Sequence, residues 1–159
     1  MTKDVIITIA GFQSSLAVDA QADDNDEIEV IMPANYFFRN DKHYILYDEA
    51  VEGIQEGIKN KIKISGNNYV EMMKSGATNT QMIFEKNKKT FTRYETPFGY
   101  MLVSVYTREL DISVDENEID IFIKYELDID HEPYADCIIK MNVRSKDGAD
   151  LKLQRKPWD

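Results

Sequence analysis

Apolar and polar residues alternate with a period of two along most of this chain, the repeat of a strand with one face buried and the other wet. Val5-Ile6-Ile7-Thr8-Ile9 opens the series and Glu27-Ile28-Glu29-Val30-Ile31-Met32 follows. Pro33 is then expected to interrupt or bend the strand, because proline has no N–H to give a ladder. Tyr36-Phe37-Phe38-Arg39 runs into the turn pair Asn40-Asp41, and His43-Tyr44-Ile45-Leu46-Tyr47 returns. In residues 58–64, Ile62 and Ile64 face one way while Lys59, Lys61 and Lys63 face water. Gly66-Asn67-Asn68 predicts a hairpin into Tyr69-Val70-Glu71-Met72-Met73, and Gly76 separates that strand from Gln81-Met82-Ile83-Phe84-Glu85.

Asn87-Lys88-Lys89 turns the chain into Thr90-Phe91-Thr92-Arg93-Tyr94, and Pro97-Phe98-Gly99 breaks the pattern before its longest run, residues 100–114. Within that run Met101, Val103 and Val105 are odd, whereas Leu110, Ile112 and Val114 are even. A one-residue slip of this kind predicts a β-bulge, placed between Tyr106 and Glu109. Ile119, Ile121, Ile123, Tyr125 and Leu127 form the clearest half-buried strand, and residues 138–143 put Ile139, Met141 and Val143 on one side.

No span carries a sustained 3.6-residue stripe, and residues 48–57, with Gly53 and Gly57, read as a hairpin loop rather than a helix. Some nine or ten antiparallel strands in hairpin succession cannot stay a flat open sheet, because long sheets twist and exposed edges invite aggregation. The fold expected is therefore all-β: an antiparallel up-and-down meander closed into a barrel of about 8–10 strands, with a two-sheet sandwich as the competing arrangement. Residues 1–147 are assigned to one barrel domain and residues 148–159 to a C-terminal tail, in which Lys152, Arg155 and Lys156 surround Trp158.

Composition narrows the partners. The 159 residues include 29 Asp+Glu against 19 Lys+Arg, a net charge of −10, which repels a phosphate backbone over most of the surface. The basic patches Lys59-Lys61-Lys63, Lys86-Lys88-Lys89 and Lys152-Arg155-Lys156 read as solvated strand faces, a turn and a tail, so no nucleic-acid partner is expected. No apolar run approaches the ~20 residues of a membrane helix, and the first residues lack the pattern of a secretory signal. With a single cysteine, Cys137, the expectation is a cytoplasmic protein without a disulfide framework.

From His43 onward, Tyr44-Ile45-Leu46-Tyr47-Asp48-Glu49, Lys74-Ser75-Gly76 with Met82 and Phe84, Tyr94-Glu95-Thr96-Pro97-Phe98-Gly99 and Ile123-Lys124-Tyr125-Glu126-Leu127 follow one another in an order that resembles the YwiB-like family of uncharacterised bacterial proteins, a domain of unknown function. The resemblance implies a calycin, that is, a lipocalin-like closed barrel, and brings no activity, substrate or catalytic residue. Lys74 stands where that pattern leads one to expect arginine, and residues 17–26 and 148–159 look like additions to it.

Chemistry-bearing groupings are scarce. His43 and His131 have no second histidine or cysteine at ligand spacing and read as exposed loop residues. Asp128, Asp130 and Glu132 alternate without the glycine and distal glutamate of a calcium loop, so no metal is expected. No phosphate-binding glycine loop, nucleophile elbow or other cofactor motif is present, and Cys137 reads as a small packed hydrophobe, which argues against an enzyme. The residues that could line a polar spot in an apolar barrel are Arg93 or Tyr94, whichever faces inward, with Tyr106 and Arg108 across the expected bulge and Tyr125 on the inner row. These five are the candidate ligand-binding residues of a non-enzymatic barrel taking a small apolar or mixed ligand. The alternative is an interaction or structural module, a homodimer whose barrel is filled by its own side chains.

Overall fold

Period-two patterning becomes ten strands in the computed structural model, which describes residues 3–15, 26–76, 79–96 and 99–146. They are β1 (Asp4–Ser15), β2 (Asp26–Arg39), β3 (Lys42–Val51), β4 (Ile54–Ser65), β5 (Tyr69–Gly76), β6 (Thr80–Phe84), β7 (Lys89–Thr96), β8 (Gly99–Val114), β9 (Glu118–Ile129) and β10 (Glu132–Ser145). Every ladder is antiparallel, and the strand order is β6-β5-β4-β3-β2-β1-β10-β9-β8-β7. The meander is thus wrapped until β1 pairs with β10, from Val5↔Ser145 to Ser15↔Ala135. The result is a nearly closed ten-stranded barrel. Its seam runs between β6 and β7, which no ladder joins among the described residues. There the Thr90 hydroxyl donates to the carbonyl of Ile83 at 2.9 Å, and the Asn87 amide to that of Thr107 at 2.8 Å.

Turn chemistry sets the register. Asn40 and Asp41 both take positive φ, 53° and 61°, the geometry of a two-residue hairpin turn that matches strand twist, and Asp130-His131 repeats it at 50° and 69°. The expected bulge falls between Thr107 and Glu109 and reconciles odd Val103 and Val105 with even Leu110 and Ile112 on one inner face. β2 runs unbroken through Pro33 and unites residues 26–32 with 36–39, but its pairing changes there. β2 follows β1 from Asp26 to Asn35, whereas its ladder with β3 covers only Asn35–Arg39. The Tyr36 amide points to β1, donating to Lys3 at 2.8 Å, so by alternation the missing donor of Pro33 faces β3. A ladder that would need that donor ends, and β2 and β3 part.

The waist of the barrel is filled. Ile7, Ile45, Ile62, Ile64, Phe84, Ile119 and Ile123 are all essentially inaccessible, each contributing roughly 1.5–3 kcal/mol of burial. Phe84 packs edge-on against Tyr125, 4.9 Å between ring centroids, from the seam strand β6 to β9.

Two expectations are corrected. The loop foreseen over 48–57 shrinks to a turn at Glu52-Gly53, because strands β3 and β4 extend through a register break between Glu49 and Val51. His43 is not an exposed loop residue. It is half-buried on β3, with Nδ1 2.7 Å from the Tyr36 hydroxyl and its ring against Tyr36 and Phe38, and burial lowers its pKa. His131 is exposed at its turn. Residues 16–25 and 147–159, where most of the expected additions and the tail fall, lie outside the described residues.

Candidate functional site

Three polar side chains break the apolar inner face at one end of the barrel. On β3 the inward row is Ile45, Tyr47, Glu49; on β4 it is Asn60, Ile62, Ile64; on β5 it is Val70, Met72, Lys74. The ladders align Tyr47 with Asn60 and Asn60 with Lys74, so these three form one transverse row, with Glu49 one inward step further out. Glu49 Oε1 accepts from Lys74 Nζ at 2.8 Å and from Asn60 Nδ2 at 2.7 Å. Asn60 is only 4% exposed, while Glu49 and Lys74 are about one-third open to solvent. The hydrogen bond from Lys74 holds the Glu49 carboxyl below its usual range, opposed by partial burial and aided by Asn60. Burial, with the Glu49 charge nearby, pushes Tyr47 up to about 12.

Two glycines make this corner possible. Gly57 has φ +67° and a Cβ there would stand 2.8 Å from the carbonyl oxygen of Glu49; Gly76 has φ +113° and would place a Cβ 2.6 Å from the carbonyl of Gly57. Close approach of β3, β4 and β5 behind the polar row therefore requires hydrogen at both positions.

Beside the row lies a cleft of about 620 Å³ where β2 and β3 part. Val5, Ala34, Tyr47 and Asn60 reach it from the inner face, and Asp48 and Lys59 from the outer. Asn60 is the hinge of the site: it borders the cleft and donates to Glu49.

The five residues singled out in the sequence do not converge. Pairing of Thr92 with buried Val103 and of Tyr94 with Met101 turns Tyr94 inward and Arg93 outward. Tyr94 lies close enough to influence Tyr125, which is buried at the waist, hydrogen-bonded to Cys137 and raised far above the usual phenol range by burial. Arg93 is exposed and stacks on Tyr100 at 4.9 Å. Tyr106 and Arg108 are on the outside, Arg108 lying 5.7 Å from the Tyr106 ring and paired with Glu126. Arg108 and Tyr125 border one small depression of about 220 Å³.

Glu49, at the end of Tyr47-Asp48-Glu49, is a residue the sequence places at a barrel rim, but its partners Asn60 and Lys74 are not legible there because they stand 11 and 25 residues away and each looks ordinary in its own segment. The usable signal was parity: each shares the inward parity of its strand's apolar residues.

The arrangement offers donors from Lys74 and Asn60 and acceptors from Glu49 and Tyr47, next to apolar wall. Among the described residues no three His, Cys, Asp or Glu side chains are placed to hold a metal. Cys137 is buried, which raises its pKa. Among the described residues no helix is long and apolar enough to cross a membrane.

A family model described as "Domain of unknown function (DUF1934)" matches residues 13–141. No curated protein matches the chain. Among solved structures, the crystal structure of the YwiB protein from Bacillus subtilis is similar, with a TM-score of 0.70 at 21% identity, covering 91% of this chain and 94% of that one. At that identity the likeness speaks for the fold.

Proposed function

The chain belongs to the DUF1934 family, a domain of unknown function, and we propose that it is a non-enzymatic small-ligand-binding barrel whose site is the cleft between β2 and β3 with the polar row beside it. One observation supports this reading above the others: a buried asparagine on the inner face links an ion pair to a cleft of about 620 Å³, within the usual size of ligand pockets. The ligand is mixed, an apolar body against Val5, Ala34 and Tyr47 with a polar head that both donates and accepts at Asn60, Glu49 and Lys74. The site thereby moves from the waist, which side chains fill, to the barrel's end; Tyr94 and Tyr125 belong to the inner face of β7 and β9, while Arg93, Tyr106 and Arg108 lie on the barrel's outside. The protein works in the cytoplasm, without nucleic acid, membrane or cofactor.

The test is a fragment panel read by amide chemical shifts on the full chain. Binders should perturb Tyr47, Asn60 and Lys74, and Asn60→Leu should weaken them tenfold or more. Hits that map elsewhere, or that ignore Asn60→Leu, refute the assignment. A homodimer is the second reading, favoured by the β2 edge that is unpaired before Asn35 among the described residues, with Ile28 68% and Ile31 60% exposed. A single monomer species across a sedimentation concentration series would remove it.

A further inference from the structure

Across the outer face of β2, β1, β10, β9 and β8 runs a groove of about 530 Å³, unrelated to the cleft. Outer barrel faces are ordinarily wet, yet Ala10 is 7% exposed and Phe122 half-buried here with no element laid over them among the described residues. The rim is acidic: Glu29, Asp111 and Asp120 line it against a single cation, Lys140. Asn142 concentrates that charge, donating to Asp120 at 2.7 Å and to Glu118 at 2.6 Å.

We propose that this groove receives the chain's own residues 149–158. Three features support that occupant. Their sequence mixes anchors and cations, with Leu151, Leu153 and Trp158 for the floor and Lys152, Arg155 and Lys156, against the one acid Asp150, for the rim, in a chain whose overall net charge is −10. β10 ends at Ser145, and Asn142 on that strand already lines the groove, so the chain leaves within about one nanometre of it at roughly 3.3 Å per residue. Asp147-Gly148 is, by sequence, a turn-favouring pair between β10 and this segment. Ten extended residues span roughly 33 Å, ample for a groove five strands wide at ~4.8 Å spacing.

Trp158 is the only tryptophan, so its fluorescence reports on the segment alone. In the full chain at low salt, its emission should be blue-shifted, and acrylamide quenching several-fold weaker than for N-acetyltryptophanamide. Screening in 1 M NaCl should release it, as should Asp111→Lys with Asp120→Lys. Arg155→Glu with Lys156→Glu should do the same without touching the barrel, whereas Asp48→Lys in the cleft should not. A tryptophan as accessible as the free compound overturns the proposal, and so does protection that survives both double substitutions.

Discussion

Removing the Phe84 ring should show how the barrel keeps its seam shut. β6 is five residues long and, among the described residues, pairs by a ladder only with β5, so its open edge is held against the far wall chiefly by side chains. Phe84 is 0% exposed and meets Tyr125 edge-on. Truncating a buried phenylalanine to alanine costs roughly 3–5 kcal/mol, and an aromatic pair of this kind carries roughly 0.5–1.5 kcal/mol within that. At a seam the walls can relax inward, so Phe84→Ala should cost about 3–4 kcal/mol, a large share of the roughly 5–15 kcal/mol that holds a domain together. Urea unfolding measures the total. Hydrogen exchange locates it: amides of β6 and β7 should exchange faster at low denaturant, while those of the β1–β10 ladder follow global unfolding. Tyr125→Phe, which keeps the ring and loses the hydroxyl, is the control and should cost no more than about 1.5 kcal/mol. A Phe84→Ala loss below about 1.5 kcal/mol, less than burial alone is worth, would refute the idea that this ring seals the seam. Uniform acceleration of exchange across all strands would refute it equally.

Three further outcomes are expected. Gly57→Ala and Gly76→Ala should each lose at least about 1–3 kcal/mol in chemical denaturation, because both need positive φ and would drive a Cβ into a neighbouring carbonyl; the Gly66→Ala exchange, with open space around it, should cost less. Glu49→Gln should cost at most about 1 kcal/mol at neutral pH, since the pair is partly exposed. Its folded-state pKa is depressed, so that contribution is present above the unfolded carboxylate pKa and is lost as pH falls through the folded one; stability curves of wild type and variant should merge in acid. Tyr47 has the opposite sign: raised to about 12, it stabilises below its unfolded pKa near 10, and that contribution fades between there and about 12, so Tyr47→Phe should flatten part of the alkaline loss of stability.

The strands were legible because burial of one face imposes parity, and parity survives even where the chain slips. The parity break between Val105 and Leu110 locates the bulge, since only an extra residue at Thr107–Glu109 returns both to the core. Arg93 and Tyr94 were ambiguous for the converse reason: β7 carries Phe91 on its outer face, more than half exposed, so neither face reads as apolar. The polar row as a whole is not legible in the sequence because it is assembled by register across three strands. No local pattern in β3, β4 or β5 states which residues will stand side by side. The role of Pro33 was half visible: its missing donor was plain, but not which neighbour would lose a partner.

The pairing of β1 with β10 has a consequence for the nascent chain. Val5 is matched with Ser145, so the edge of the first hairpin must wait for the last strand to leave the ribosome. At synthesis rates of ~5–20 residues per second that interval is on the order of ten seconds, during which an apolar strand edge stands unguarded. Expression at high ribosome load should therefore favour aggregates seeded by β1, and a chaperone that shields extended segments should matter most before residue 145 emerges.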